Sequence, residues 1–127
     1  MNLEKVVFGF FIILAMTLNF GFFIGDLTDP QQHDVTELFA AIVVNLIASV
    51  LKFGDRTQVG AIHLAASLVA DLQLIAAAII WAVAAHGAGT GLTPATMAAI
   101  VSLAGGAFLA NVVSVILLII ETAMLRR

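Results

Sequence analysis

The chain has no cysteine and very little charge. Without thiols it can have no disulfide framework, no thiol nucleophile and no thiolate metal site. Five basic residues among 127, against eight acids, leave a net charge of -3 and offer no patch for nucleic acid. Also missing are a glycine-rich phosphate loop, a serine–histidine–aspartate order and a metallohydrolase motif. With no nucleophile, metal cluster or soluble catalytic domain, enzymatic activity is not expected.

What fills the chain instead is apolar surface. Hydrophobic residues make up 62% and charged residues 10%, where a soluble domain is roughly half apolar and about a quarter charged. The mean hydropathy is +1.15. One small core cannot hide that much apolar surface, so the excess must face lipid. The length suits a single domain, residues 1–127.

A bilayer core of ~30 Å needs about 20 helical residues to cross it. Four apolar runs meet that length, at residues 5–25, 35–53, 58–85 and 94–124. The expected fold is therefore all-α, a four-helix transmembrane bundle. The first run exceeds a signal-peptide core and no A-x-A cleavage pattern follows it, so it is expected to be retained. The connections carry helix-boundary chemistry. "DVTE" at residues 34–37 reads as a capping box with Asp34 at the cap and Glu37 at the third position. "GDRTQVG" is a polar turn bounded by glycines. In "GAGTGLTP", Thr93 is placed to cap the last helix and Pro94 to open it.

Lys5, Lys52, Arg56, Arg126 and Arg127 all fall on one side of these four spans. The first loop, "GDLTDPQQHD", has three aspartates and no lysine or arginine. The excess of positive charge predicts that side, with both termini, to be cytoplasmic.

Polar residues interrupt the apolar runs near mid-depth. Asn45, Asp71 and Asn111 fall within about one turn, ~5 Å, of a common plane. Asn19 lies somewhat outward in the first span, and Gln73 one step outward of Asp71. Residues four apart share a helix face. His63, Ser67 and Asp71 therefore form one polar face on the third span, and Glu37, Ala41, Asn45 and Ser49 another on the second, with Lys52 nearby. On the fourth span, Ala98, Ser102, Gly106, Ala110 and Ser114 make a small-residue stripe of the kind that lets membrane helices approach closely. Gly9, Thr17, Gly21 and Gly25 make a second on the first span. Some stripes are expected to close the bundle, and another to mate with a second subunit.

An ionised carboxylate at the bilayer centre costs about 2.5–3.5 kcal/mol even on insertion scales. Asp71 has no lysine or arginine at its depth, and His63 is two turns away. Three resolutions follow: Asp71 carries a proton, binds a cation, or is hydrated in a cavity. On one reading Asp71, Asn45, Asn111, Asn19 and Gln73 form an ion or proton site, approached through His63, Ser67 and Ser49. On the other, a neutral carboxyl and its amide neighbours simply join helices.

Other groupings carry less. Asp26, Asp29, His33, Asp34 and Glu37 match no ligand template for a divalent ion and read as a solvated acidic loop. His33 lies in a loop while His63 and His86 sit at opposite ends of one span, so a bis-histidine haem is not expected. No cofactor is expected beyond a bound monovalent cation. Trp81 suits an interfacial anchor, and Glu121 a local pairing with Arg126 and Arg127.

"TLNFGFFIGD" at residues 17–26, "ELFAAIVVNLIASVLKFGDRTQ" and "SLVADLQLIAAAI" resemble a family of small, uncharacterised four-span proteins of bacterial inner membranes. The resemblance covers the whole chain and includes Asn19, Asn45, Asp71 and Gln73. It implies a multi-pass bacterial inner-membrane location and lends no activity. The chain lacks the first-span glutamate that small multidrug-efflux proteins need.

Two functions fit these features. One is a cation or proton translocation pathway centred on Asp71, in a homo-oligomer or larger transport complex. The other is an accessory or scaffolding subunit packed against a larger channel or transporter, its polar residues structural.

Overall fold

A computed structural model describes residues 3–87 and 91–125. Residues 88–90 of the third loop, and Arg126 and Arg127, counted above with the cytoplasmic charges and with Glu121, lie outside the described residues. The described chain is helical, with no strand. Helices α1 (Leu3–Phe23), α2 (Val35–Lys52), α3 (Gln58–Ala82) and α4 (Pro94–Leu125) make up most of it. All four are long and apolar enough to cross a membrane. Helix is the form in which such segments satisfy every backbone donor and acceptor internally.

Local chemistry sets the boundaries. Asp34 caps α2 by accepting a hydrogen bond from the Thr36 amide at 2.9 Å. The reciprocal half of the expected capping box is not used, because the Glu37 carboxylate turns to lie against Gly21 of α1. Thr57 caps α3 through the Gly60 amide, and Thr93 caps α4 through the Thr96 amide. The first helix ends at Phe23, two residues before the sequence expectation. Gly25 turns the chain there with φ +113°, a conformation glycine alone adopts without strain. At the end of α3 a wider π-helical turn, Val83–Gly87, carries the helix past the expected boundary.

Each helix packs on its neighbours in sequence, and α4 returns to α1. This is an up-down-up-down bundle. Lys5, Lys52 and Arg56 gather at one end, called here the basic end; the aspartates of the first loop mark the acidic end. Two apolar clusters form the core. A large one towards the acidic end joins Phe22, Leu38, Leu74, Met97, Ile100 and Val101 with several alanines. A smaller one towards the basic end is built on Phe8, Ile12 and Ala48.

The bundle is inverted relative to a soluble one. Leu72, Ile79, Leu109 and Ile119 point outwards, while Asn19, Asn45, Asn111, His63 and Ser67 are completely buried. Such continuous exposed apolar surface suits hydrocarbon rather than water.

Candidate functional site

Between the two apolar clusters lies a polar layer with two distinct parts. The first is a chain of asparagines. Asn19 of α1 donates through Nδ2 to Oδ1 of Asn111 on α4 at 2.5 Å. Asn111 Nδ2 donates to Oδ1 of Asn45 on α2 at 2.9 Å. Asn45 Nδ2 donates to the Ala41 carbonyl at 2.8 Å. Three helices are thereby tied at one depth. The carbonyl oxygens of Asn45 and Asn111 are each occupied by a neighbouring amide, so they do not form the ring of ligands around Asp71 that the sequence suggests. Asn19, expected further outward, closes the chain instead.

The second part belongs to Asp71 on α3. Its Oδ2 accepts a hydrogen bond from the Ser49 hydroxyl of α2 at 2.5 Å. Ser49 Oγ also lies 3.0 Å from the Asn45 carbonyl. A hydroxyl has one proton to donate and two lone pairs to accept with. Beside an ionised carboxylate, Ser49 donates to Asp71. Beside a carboxylic acid, it can accept from Asp71 and pass its own proton to the Asn45 carbonyl. Ser49 thus accommodates both protonation states without moving a heavy atom.

Asp71 Oδ1 is buried and has no protein partner. One turn nearer the basic end, Ser67 Oγ is in the same condition, and another turn on so are both ring nitrogens of His63. Asn19 Oδ1, Gln73 Oε1 and Ser114 Oγ are likewise buried without a protein partner. Buried polar groups nearly always find a partner, commonly ordered water when protein supplies none. Asp71, Ser67 and His63 are spaced i, i+4, i+8, so these atoms line one face of α3.

The face ends in charge. His63 Nε2 lies 3.9 Å from Glu121 Oε1 of α4, and the other oxygen of Glu121 pairs with Lys5 of α1. The His63 ring meets Phe8 edge-on, with centroids 5.0 Å apart, and the Lys52 ammonium stands 4.3 Å from the Phe8 centroid. His63 is fully buried. Glu121 pairs across the bundle with Lys5, while its expected pairing with Arg126 and Arg127 falls on residues outside the described ones. A sequence signal for this existed: Asn111, Ser114 and Glu121 are three and seven residues apart, on one face of α4.

Towards the acidic end the polar face stops. Leu74 and Ala77 follow Asp71 and, with Ala70 just before it, pack into the large apolar cluster. Gln73 does not extend it. Two residues beyond Asp71 it points to another side of α3, where its amide meets Gly106 of α4.

The small-residue stripe of α4 does not stay on one face either. A strict four-residue repeat drifts by about 40° per step at 3.6 residues per turn. Ser102 is accordingly exposed, Gly106 and Ala110 are half-buried and Ser114 is buried. Ser102 thus faces away from the bundle among the described residues.

The acidic loop is organised by its own turns. Asp26 accepts from the Thr28 amide and hydroxyl, which hold its carboxyl below the usual carboxylate range. Asp29 binds Gln31 and Gln32. His33, buried unlike its neighbours, sets Nδ1 2.5 Å from the Phe22 carbonyl and Nε2 2.6 Å from the Asp26 carbonyl. It therefore fastens the loop to the end of α1, a role the sequence did not signal.

A family model, described as a family of unknown function (DUF6394), matches residues 32–122. The chain belongs to this family. The region shared with DUF6394 contains Asn45, Ser49, His63, Ser67, Asp71, Asn111, Ser114 and Glu121, and begins after α1. No curated protein and no solved structure matches the chain.

Proposed function

We propose that this chain is a multi-pass protein of a bacterial inner membrane, with both termini cytoplasmic, in which Asp71 exchanges a proton with the cytoplasm. The observation that carries this reading is the unpartnered Asp71 Oδ1, in line with the unpartnered Ser67 and His63. That face leads to the Lys5, Glu121 and His63 cluster at the basic end, which the positive-inside rule assigns to the cytoplasm. Water held by these groups would relay protons between the cluster and Asp71. A metal cation fits less well, because two of the three asparagine oxygens are already used.

The apolar cluster beyond Asp71 closes the face within one chain. Complete translocation therefore needs a second copy or a larger transport complex to supply the outer half of the path. The same observation favours the accessory reading as the alternative, with Asp71 a buried proton site in a subunit that moves nothing by itself.

The test is proton flux in proteoliposomes containing the full chain. Wild type is expected to dissipate a pH gradient, with Asp71→Asn and Asp71→Ala at least tenfold slower. Wild-type vesicles no leakier than empty ones would overturn autonomous transport and leave the accessory reading.

A further inference from the structure

The acidic loop is closed by a side chain that needs a second hydrogen to do so. His33 is buried, and its two ring nitrogens meet two different carbonyl oxygens. Nδ1 lies 2.5 Å from that of Phe22, and Nε2 lies 2.6 Å from that of Asp26. A carbonyl oxygen can only accept. A neutral imidazole carries one N–H and one lone pair, so in either tautomer one contact would set lone pair against lone pair. Only the imidazolium has a hydrogen for each.

The surroundings suit a cation. Phe22 lies in the last turn of α1, where the next helical donor would be the Asp26 amide; that amide donates instead to Gln32 Oε1 at 2.7 Å. The Phe22 carbonyl is thus left open at the negative end of the helix dipole, where positive charge is favoured. The last turn of α1 has no basic residue of its own. Asp26 adds a carboxylate that the His33 charge helps to keep ionised. Of the other titratable groups at this end, Asp29 and Asp34 are bound to amides of their own turns, and Glu37 lies against Gly21. His86, in the π-helical turn after α3, is exposed, and α1 offers no titratable group in its last two turns.

We infer that His33 is a second proton-binding site, at the opposite end of the bundle from the Lys5, Glu121 and His63 cluster, and that its proton latches the acidic loop onto α1. The latch grips a core residue. The Phe22 ring stands 5.5 Å from the His33 ring and 6.1 Å from that of Trp81 on α3, centroid to centroid. Phe22 also belongs to the apolar cluster that closes the polar face beyond Asp71. Loss of the proton leaves one carbonyl facing a bare ring nitrogen, which frees the loop and loosens the end of α1. In acid the closing cluster is therefore held from the loop side, and rising pH releases it. On the orientation proposed above, the latch reads external pH. Only this sidedness depends on that orientation; the proton on His33 depends on no role of Asp71.

The chain has no cysteine, so a single nitroxide can be attached at Gln31→Cys, an exposed position whose backbone amide, not its side chain, holds the loop. In detergent both ends of the bundle meet the same pH. The label is expected to be immobilised at about pH 5 and predominantly mobile at about pH 8, the span over which imidazoles change charge. In His33→Gln, which cannot take up a proton, this transition should be lost. A wild-type loop equally immobile at both pH values would overturn the latch, and the same transition in His33→Gln would assign it to another group. Nitrogen NMR of wild-type protein with labelled histidine, the His33 ring assigned by its contacts to Phe22, needs no variant. It should show hydrogen on both ring nitrogens in the immobile state; a single N–H there would overturn the proton site.

Discussion

Ser49 on α2 and Asp71 on α3 are 2.5 Å apart, and this is the only hydrogen bond that the Asp71 side chain makes within the described residues. The link joins two helices and leaves the other carboxyl oxygen unused. Replacing Ser49 by alanine removes the sole partner of a buried acid, at a cost of about 1–3 kcal/mol for the group left unsatisfied. Asp71→Asn, whose amide can donate to Ser49, is expected to cost less than Ser49→Ala. Thermal unfolding of the two variants in detergent checks that order, and a more stable Ser49→Ala would contradict it.

Asn111 is the middle of the asparagine chain and takes part in both interhelical bonds. Interhelical hydrogen bonds in membranes average ~0.6 kcal/mol and reach ~1.7. Asn111→Ala should therefore destabilise by about 1–3 kcal/mol and by more than Asn19→Ala, which breaks one bond. Unfolding titrations in mixed detergent measure both. Because these amides are spent on one another, neither variant should abolish a proton-dependent activity as Asp71→Asn does.

Two adjacent glycines bring α4 close to its neighbours. A methyl group on Gly105 would stand 2.7 Å from the Phe23 ring, and one on Gly106 would stand 2.0 Å from Gln73 Oε1. The ring is half-buried and packed against the core cluster, whereas the amide is the far end of a flexible side chain. Gly105→Ala should cost about 1–3 kcal/mol through overpacking. Gly106→Ala should cost less and be relieved further by Gln73→Ala. Melting temperatures of the single and double variants decide the matter.

At the basic end, the Thr57 hydroxyl and amide hold the Asp55 carboxyl below its ordinary range. A carboxylate with a lowered folded pKa contributes stability above its unfolded pKa, and that contribution is lost as pH falls through the folded value. The stability gap between wild type and Asp55→Asn should thus be constant near neutral pH and shrink in acid. Unfolding of both proteins across the acidic range measures it; a gap that widened in acid would contradict the turn geometry.

Much of the architecture is legible in the sequence, for a definite physical reason. Spanning helices announce themselves by length and hydropathy, and Asp34 and Thr93 carry the cap chemistry that starts two of them; Thr57, which caps a third, lies in a stretch legible only as a polar turn. The polar layer was legible only in depth. Helical rise places Asn19, Asn45, Asp71 and Asn111 near one level, but which side chain meets which depends on helix rotation, and apolar residues surround these helices too evenly to fix it. The asparagines accordingly bond to one another rather than to Asp71, and Gln73 faces Gly106. His33 was misread for a different cause: its partners are the Phe22 and Asp26 carbonyls, and backbone acceptors leave no trace in side-chain pattern.

The central claim, that Asp71 exchanges its proton with the basic end through Ser67 and His63, is tested most directly by infrared difference spectroscopy of the carboxyl group in reconstituted protein. The account predicts a carboxylic-acid C=O band, absent in Asp71→Asn, that responds to bulk pH, shifts promptly in D₂O, and exchanges more slowly in Ser67→Ala. A band indifferent to pH and to D₂O, or one exchanging at the same rate in Ser67→Ala, would contradict it.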